Sequence, residues 1–285
     1  SRLLGAVRAN LWRLLIALVI LGIWAHGFGP GIGGIALPWF LLAGGIGFGL
    51  GGWCALQSLR RVGSTLTLLI IECAAAVIGT AIGWWWLGAA LRPQEMLFAA
   101  LILVGVMVGM TPGPIPALRR ELVISGCALA TAAALFQAIS INLSRHAFTL
   151  LKAAGESLQP LGAAYHRLLG GCAVALLIYA ITFVVRKSTA RPLQVDAHAA
   201  PFPDSPLPAP VWVALNALLG PVLGVTCMLW AISQVANPGL VQAIAASATL
   251  LTVPFARRLE AARPRTPYFI GCLLALAGVA GLLLG

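Results

Sequence analysis

The chain has 285 residues, of which 60% are hydrophobic and 9% charged, and its mean hydropathy is +0.98. A soluble domain carries roughly a quarter charged residues, so this composition excludes an ordinary water-soluble fold. The net charge of +11 does not describe a nucleic-acid surface either, because the basic residues sit between apolar stretches and form no continuous face.

In chain order, apolar stretches fall at about 11–28, 37–58, 65–88, 95–112, 121–143, 160–185, 210–232, 238–257 and 267–285. Each approaches or exceeds the ~20 residues needed to cross a bilayer. Helix is expected throughout, since lipid cannot satisfy free backbone N–H and C=O groups. Short loops join most of the nine spans, so successive helices are expected to pack antiparallel. The exception is Lys187–Ala209, proline-rich and too polar to insert, which reads as a linker. The six cysteines all lie inside apolar spans without a Cys-x-x-Cys pair and read as packing residues.

Alternate ends of the spans differ in charge. One side holds Arg2, Arg8, Arg13, Arg60, Arg61, Arg119, Arg120, Arg186, Lys187, Arg191, Arg257, Arg258, Arg263 and Arg265. The other holds Arg92, Arg145 and Lys152, with Arg167 set inside the sixth span. The richer side is therefore expected to be cytoplasmic in a multi-pass inner-membrane protein.

Residues 39–111 align without a gap on 212–284, at a constant offset of 173: Gly47 falls on Gly220, Cys54 on Cys227, Arg92 on Arg265 and Gly105 on Gly278. The basic Arg60–Arg61 loop, however, matches the uncharged Val235–Asn237, and Arg92 alone matches a cluster of four arginines. Related units whose basic loops alternate sides are expected to be inverted in the membrane. The expected fold is thus an all-α integral membrane bundle of two inverted repeats, 1–112 and 121–285, the second containing the 187–209 loop. Arg13-Leu14-Leu15 resembles Arg167-Leu168-Leu169, which leaves the span at 121–143 without a partner in the first repeat. Nine spans present and ten in an intact parent is the expectation, with the first helix missing. The alternative keeps 11–28 as a degenerate extra span.

Ala55-Leu56-Gln57-Ser58-Leu59-Arg60-Arg61-Val62-Gly63-Ser64-Thr65-Leu66, then a helix ending Trp86-Leu87-Gly88, forms a recurring signature with Leu91-Arg92-Pro93-Gln94 and the apolar run after it. This order resembles the EamA-type permeases of the drug/metabolite transporter superfamily, and it recurs from Leu229 through Val279. The resemblance implies ten helices, a central cavity between repeats, and movement of small metabolites by alternating access. The chain differs from the family's common pattern at Ala89, where a glutamate is usual, and at Glu72-Cys73, where a proline is common.

Glu72 is the sharpest candidate for function. It lies about 10 Å into its helix at 1.5 Å per residue, behind Leu68, Leu69, Ile70 and Ile71. An acid at that depth costs roughly 2–4 kcal/mol, so it is protonated, paired or facing a water-filled cavity. It then serves either proton exchange or helix packing. Arg167 is its natural counter-charge or the site of an anionic substrate group; snorkelling to the headgroups explains it equally. Gln137, Ser140 and Ser144 share one face of their helix, and with Asn216 and Gln242 they either glue helices or line a cavity. Gln242 stands out, because its helix is expected to meet that of Glu72 near the axis between repeats. Trp84-Trp85-Trp86 read as interfacial anchors.

His26, His146 and His198 lack ligand spacing, so no metal is expected, and nothing resembles a P-loop or another cofactor motif. The leading expectation is a secondary transporter, not an enzyme, with a small-molecule substrate, lipid around it and proton coupling open. The alternatives are a non-transporting helical membrane subunit or an integral-membrane enzyme.

Overall fold

A computed structural model describes residues 6–110, 120–189, 209–251 and 266–284. Much of the 187–209 loop, the junction between the halves, His198 and the cluster Arg257, Arg258, Arg263 and Arg265 therefore lie outside the described residues, as does the end of the 238–257 span. Among the described residues the architecture is all-helical. The elements are α1 (Ala6–Gly27), α2 (Leu37–Gly44), a π-helical turn π1 (Gly45–Gly51), α3 (Gly52–Leu87), α4 (Pro93–Gly109), α5 (Arg120–Ala153) and α6 (Pro160–Thr189). The second half continues with α7 (Ala209–Ala217), π2 (Leu218–Gly224), α8 (Val225–Gln234) and α9 (Pro238–Ser247), whose 3-10 extension is Ala248–Leu251. It closes with α10 (Thr266–Leu284).

Among the described residues six helical stretches are long and apolar enough to cross a membrane, and Pro93–Gly109 and Pro238–Leu251 are shorter. The longest, Leu37–Leu87, spans 51 residues, or about 75 Å if straight, far beyond a hydrocarbon core of about 30 Å. It is not straight. Gly63 takes φ +81° and ψ 173°, a conformation open almost only to glycine. Ser58 and Thr67 on either side of it share a hydrogen bond of 2.9 Å, although nine residues of continuous helix would set them about 13 Å apart. The chain reverses sharply at Gly63, so this stretch is two helical arms, which cover the apolar stretches 37–58 and 65–88.

Local chemistry sets the other boundaries. Gly88, at φ +64°, ends α3 in a left-handed cap. Pro93 opens α4, and Glu95 accepts from the Arg92 backbone N–H at 2.7 Å. Asn237 caps α9 through Gly239 N–H at 2.9 Å, with Pro238 at the first helical position. Arg145 donates to the carbonyls of Ile232 and Ser233, closing the end of α8.

Within 39–111 and 212–284 several elements coincide at the offset of 173. Gly45–Gly51 and Leu218–Gly224 are both π-helical, and Pro93 and Thr266 both open a helix. Helices at matching positions also touch. Along α3 and α9, Glu72 meets Gln242, Thr80 lies against Gly239 and Gly83 against Asn237, so the two run antiparallel. The α4–α10 pair is antiparallel too, and its contact is reciprocal. A Cβ on Gly105 would meet the backbone of Gly271 and Ala275, while one on Gly278 would meet Phe98 and Ile102. Those four neighbours are themselves equivalent, since Phe98 maps on Gly271 and Ile102 on Ala275.

Packing concentrates around these crossings. Leu14, Leu21, Phe40, Phe148, Leu168 and Leu229 belong to the largest buried cluster, which joins α1, α2, α5, α6 and α8. A second cluster, with Ile102, Val106, Met110 and Leu250, lies between α4, α9 and α10. Many large apolar residues face outward, such as Ile23, Leu177, Trp230 and Leu273, as lipid contact requires.

Candidate functional site

The site lies on the Gln137–Ser144 stretch of α5, where it faces α2, π1, α3, α6 and α9. Glu72 projects from the second arm of α3 and keeps part of its surface accessible. Gln242, 1% exposed, donates from Nε2 to Glu72 Oε2 at 2.5 Å, and the Gln137 side chain lies beside the carboxyl. Three of the four sequence candidates thus converge, from α3, α5 and α9. Gln242 Oε1 is buried without a partner.

Arg167, the fourth, does not join them. One turn along α5 from Gln137, Ser140 accepts from Arg167 Nη2 at 2.7 Å and donates to the Ala43 carbonyl at 2.7 Å. The Arg167 side chain is 4% exposed, so it does not snorkel. Its Cζ lies 5.0 Å from the centre of the Phe48 ring, a cation–π distance. Nε and Nη1 have no partner, and Arg167 makes no ion pair among the described residues. Leaving such a group buried and unpaired costs several kcal/mol, about 2–5 in typical measurements.

Glycines make this arrangement possible. A side chain on Gly44 would collide with the Arg167 carbonyl, and one on Gly170 with the Leu41 carbonyl, so α2 and α6 cross with backbones touching. A Cβ on Gly47 would sit 2.5 Å from Ser140 Oγ and 3.5 Å from Arg167 Nη2. The π turn carries Phe48 under the guanidinium, and Asn10 of α1 donates to the Phe48 carbonyl at 3.4 Å. Such turns concentrate at functional sites.

Of the remaining sequence candidates, Ser144 bonds the Ser140 carbonyl of its own helix at 2.8 Å and ties nothing across helices. Trp84 and Trp85 point outward, whereas Trp86 stacks on His146 at 5.1 Å, with Trp39 edge-on to the same imidazole at 4.5 Å. Sequence reasoning missed Asn142 and Asn237. Asn142 donates to the carbonyls of Gly79 and Ala138, and Asn237 to those of Thr80 and Ala89, binding α3, α5 and α9 about two turns or more along α3 from the acid. Asn237 followed by Pro238 was a legible cap signal; its second role toward α3 had none. Also unforeseen were the His26–Tyr165 bond at 3.0 Å and the His166 bond to the Gly31 carbonyl at 3.1 Å. No three His, Cys, Asp or Glu side chains gather into a metal-binding group among the described residues.

The sequence profile of the EamA-like transporter family matches residues 1–111. That match agrees with the resemblance to EamA-type permeases of the drug/metabolite transporter superfamily and points to a membrane transporter. A solved structure titled "Crystal structure of protein" aligns over 99% of this chain and 88% of its own, with a TM-score of 0.66 and 18% identity. At that identity the likeness speaks to the fold alone. No curated protein matches the chain.

Proposed function

We propose that the chain is a secondary transporter that moves a small metabolite or drug-like molecule across the cytoplasmic membrane by alternating access, with Glu72 as its proton-carrying group. The observation that carries this reading is the Glu72–Gln242 contact. It is an intramembrane acid, partly accessible, held where two matching helices cross. The antiparallel α3–α9 and α4–α10 pairs, with the reciprocal glycine contact, support two inverted repeats over 1–112 and 121–285, and transport sites of that plan lie between repeats.

The amides suit both charge states of the acid. Gln242 Nε2 donates to a carboxylate, and its unpartnered Oε1 is free to accept from a carboxylic acid after an amide rotation. Gln137 offers the same choice from the opposite helix. Arg167 of α6, held by Ser140 one turn along α5 from Gln137, completes the set as the substrate-side charge.

The test is transport in proteoliposomes under an imposed pH gradient, over a panel of amino acids, nucleosides and cationic drugs, wild type beside Glu72→Gln. Wild type is expected to move at least one compound faster with the gradient, and Glu72→Gln to lose that acceleration while remaining folded. Acceleration that persists in Glu72→Gln removes the proton role. Folded wild-type protein that moves nothing in the panel favours a non-transporting subunit.

A further inference from the structure

The guanidinium of Arg167 has more hydrogen-bonding capacity than the fold uses. Of its five N–H donors, the three on Nε and Nη1 have no partner. Ser140 Oγ takes only Nη2, while its own proton goes to the Ala43 carbonyl. What Ser140 does is hold Nη2, and Phe48 lies at the guanidinium's side. Together they fix the plane of the fork and leave its other nitrogens uncommitted. A residue serving only to pack α6 against α2 would not need this, since glycines already make that crossing, and an apolar side chain would fill the place without a buried charge.

We propose that Arg167, positioned by Ser140 and Phe48, is the anchor for a carboxylate on the transported molecule. The proposal rests on the transporter reading, because both open nitrogens are shut off in this conformation and a ligand reaches them only when the helices part. The fork geometry matches a planar carboxylate. One guanidinium balances one negative charge, whereas a phosphate monoester brings close to two. The substrate class is therefore a monocarboxylate or an amino acid. Its charged end sits on the α2–α6 side, one turn of α5 from Glu72.

The test uses the full chain in detergent, with benzoate and hexanoate as probes beside benzamide and hexanamide, read by thermal shift and calorimetry. At least one acid is expected to bind wild type at least tenfold more tightly than its amide. Arg167→Lys, which keeps the charge and loses the fork, is expected to lower that affinity about tenfold. Acid and amide binding alike, neither binding, or undiminished binding to Arg167→Lys would overturn the proposal. If Arg167→Lys does not fold, Ser140→Ala in its place must weaken acid binding and leave amide binding unchanged. The two readings separate in proteoliposomes. Acids that bind but are not carried leave the anchor without a transporter, and pH-driven movement of cations alone leaves a transporter without this anchor.

Discussion

Gln137 and Ser140 stand one turn apart on α5 and lie against different charged side chains, Glu72 on one side and Arg167 on the other. That spacing keeps the acid and the guanidinium on separate partners, as the proposed proton and substrate roles require. Replacing Gln242 by Ala removes the donor to Glu72 and is expected to cost about 1 kcal/mol of stability. Thermal unfolding in detergent would register it, together with a weakened response of transport to a pH gradient. Asn237→Ala removes the donor to two carbonyls and the α9 cap at once. A larger loss of about 1–3 kcal/mol is expected there, and an unchanged melting temperature would refute the role given to this amide. Glu72, Gln242 and Gln137 were legible because each is a polar group inside an apolar run. That Arg167 chooses Ser140 over Glu72 was not, because helix periodicity gives a face and says nothing of the neighbour opposite.

At the scale of elements, the turn at Gly63 and the π turn at Gly45–Gly51 shape the first half, and the π turn at Leu218–Gly224 recurs in the second. A Cβ on Gly63 would meet nothing within 4 Å, so any penalty for Gly63→Ala comes from the backbone alone. It is expected to be about 1–3 kcal/mol, while Gly27→Ala, equally uncrowded and without positive φ, is expected to be neutral. Equal melting temperatures for the two variants would show that the reversal does not depend on this conformation. The basic pair Arg60–Arg61 marked the loop in the sequence, but the π turns left no such trace. A widened turn comes from one extra residue within an apolar run, and hydrophobicity does not change across it.

For the whole molecule, composition already contained the all-helical class, and the described parts of the apolar stretches lie in helices but for a residue at some ends. What composition lacked was the seam between halves, since the α4–α10 crossing is made of glycines whose partners only three dimensions reveal. From the charge bias we propose that the Gly63 reversal lies in the cytoplasm and the Gly88–Arg92 turn outside. In a cysteine-free background, a membrane-impermeant maleimide is expected to label Ala90→Cys in intact cells and to leave Ser64→Cys untouched until the cells are opened. The reverse pattern would invert the whole assignment. The seam also has a genetic consequence. The three atoms nearest a Cβ at Gly281 all belong to the Phe98 ring, so Gly281→Ala is open to rescue by Phe98→Leu. At Gly105 the obstacle is the main chain of Gly271 and Ala275, which no codon can trim. A search for suppressors should therefore restore the first lesion from within the partner helix and never the second.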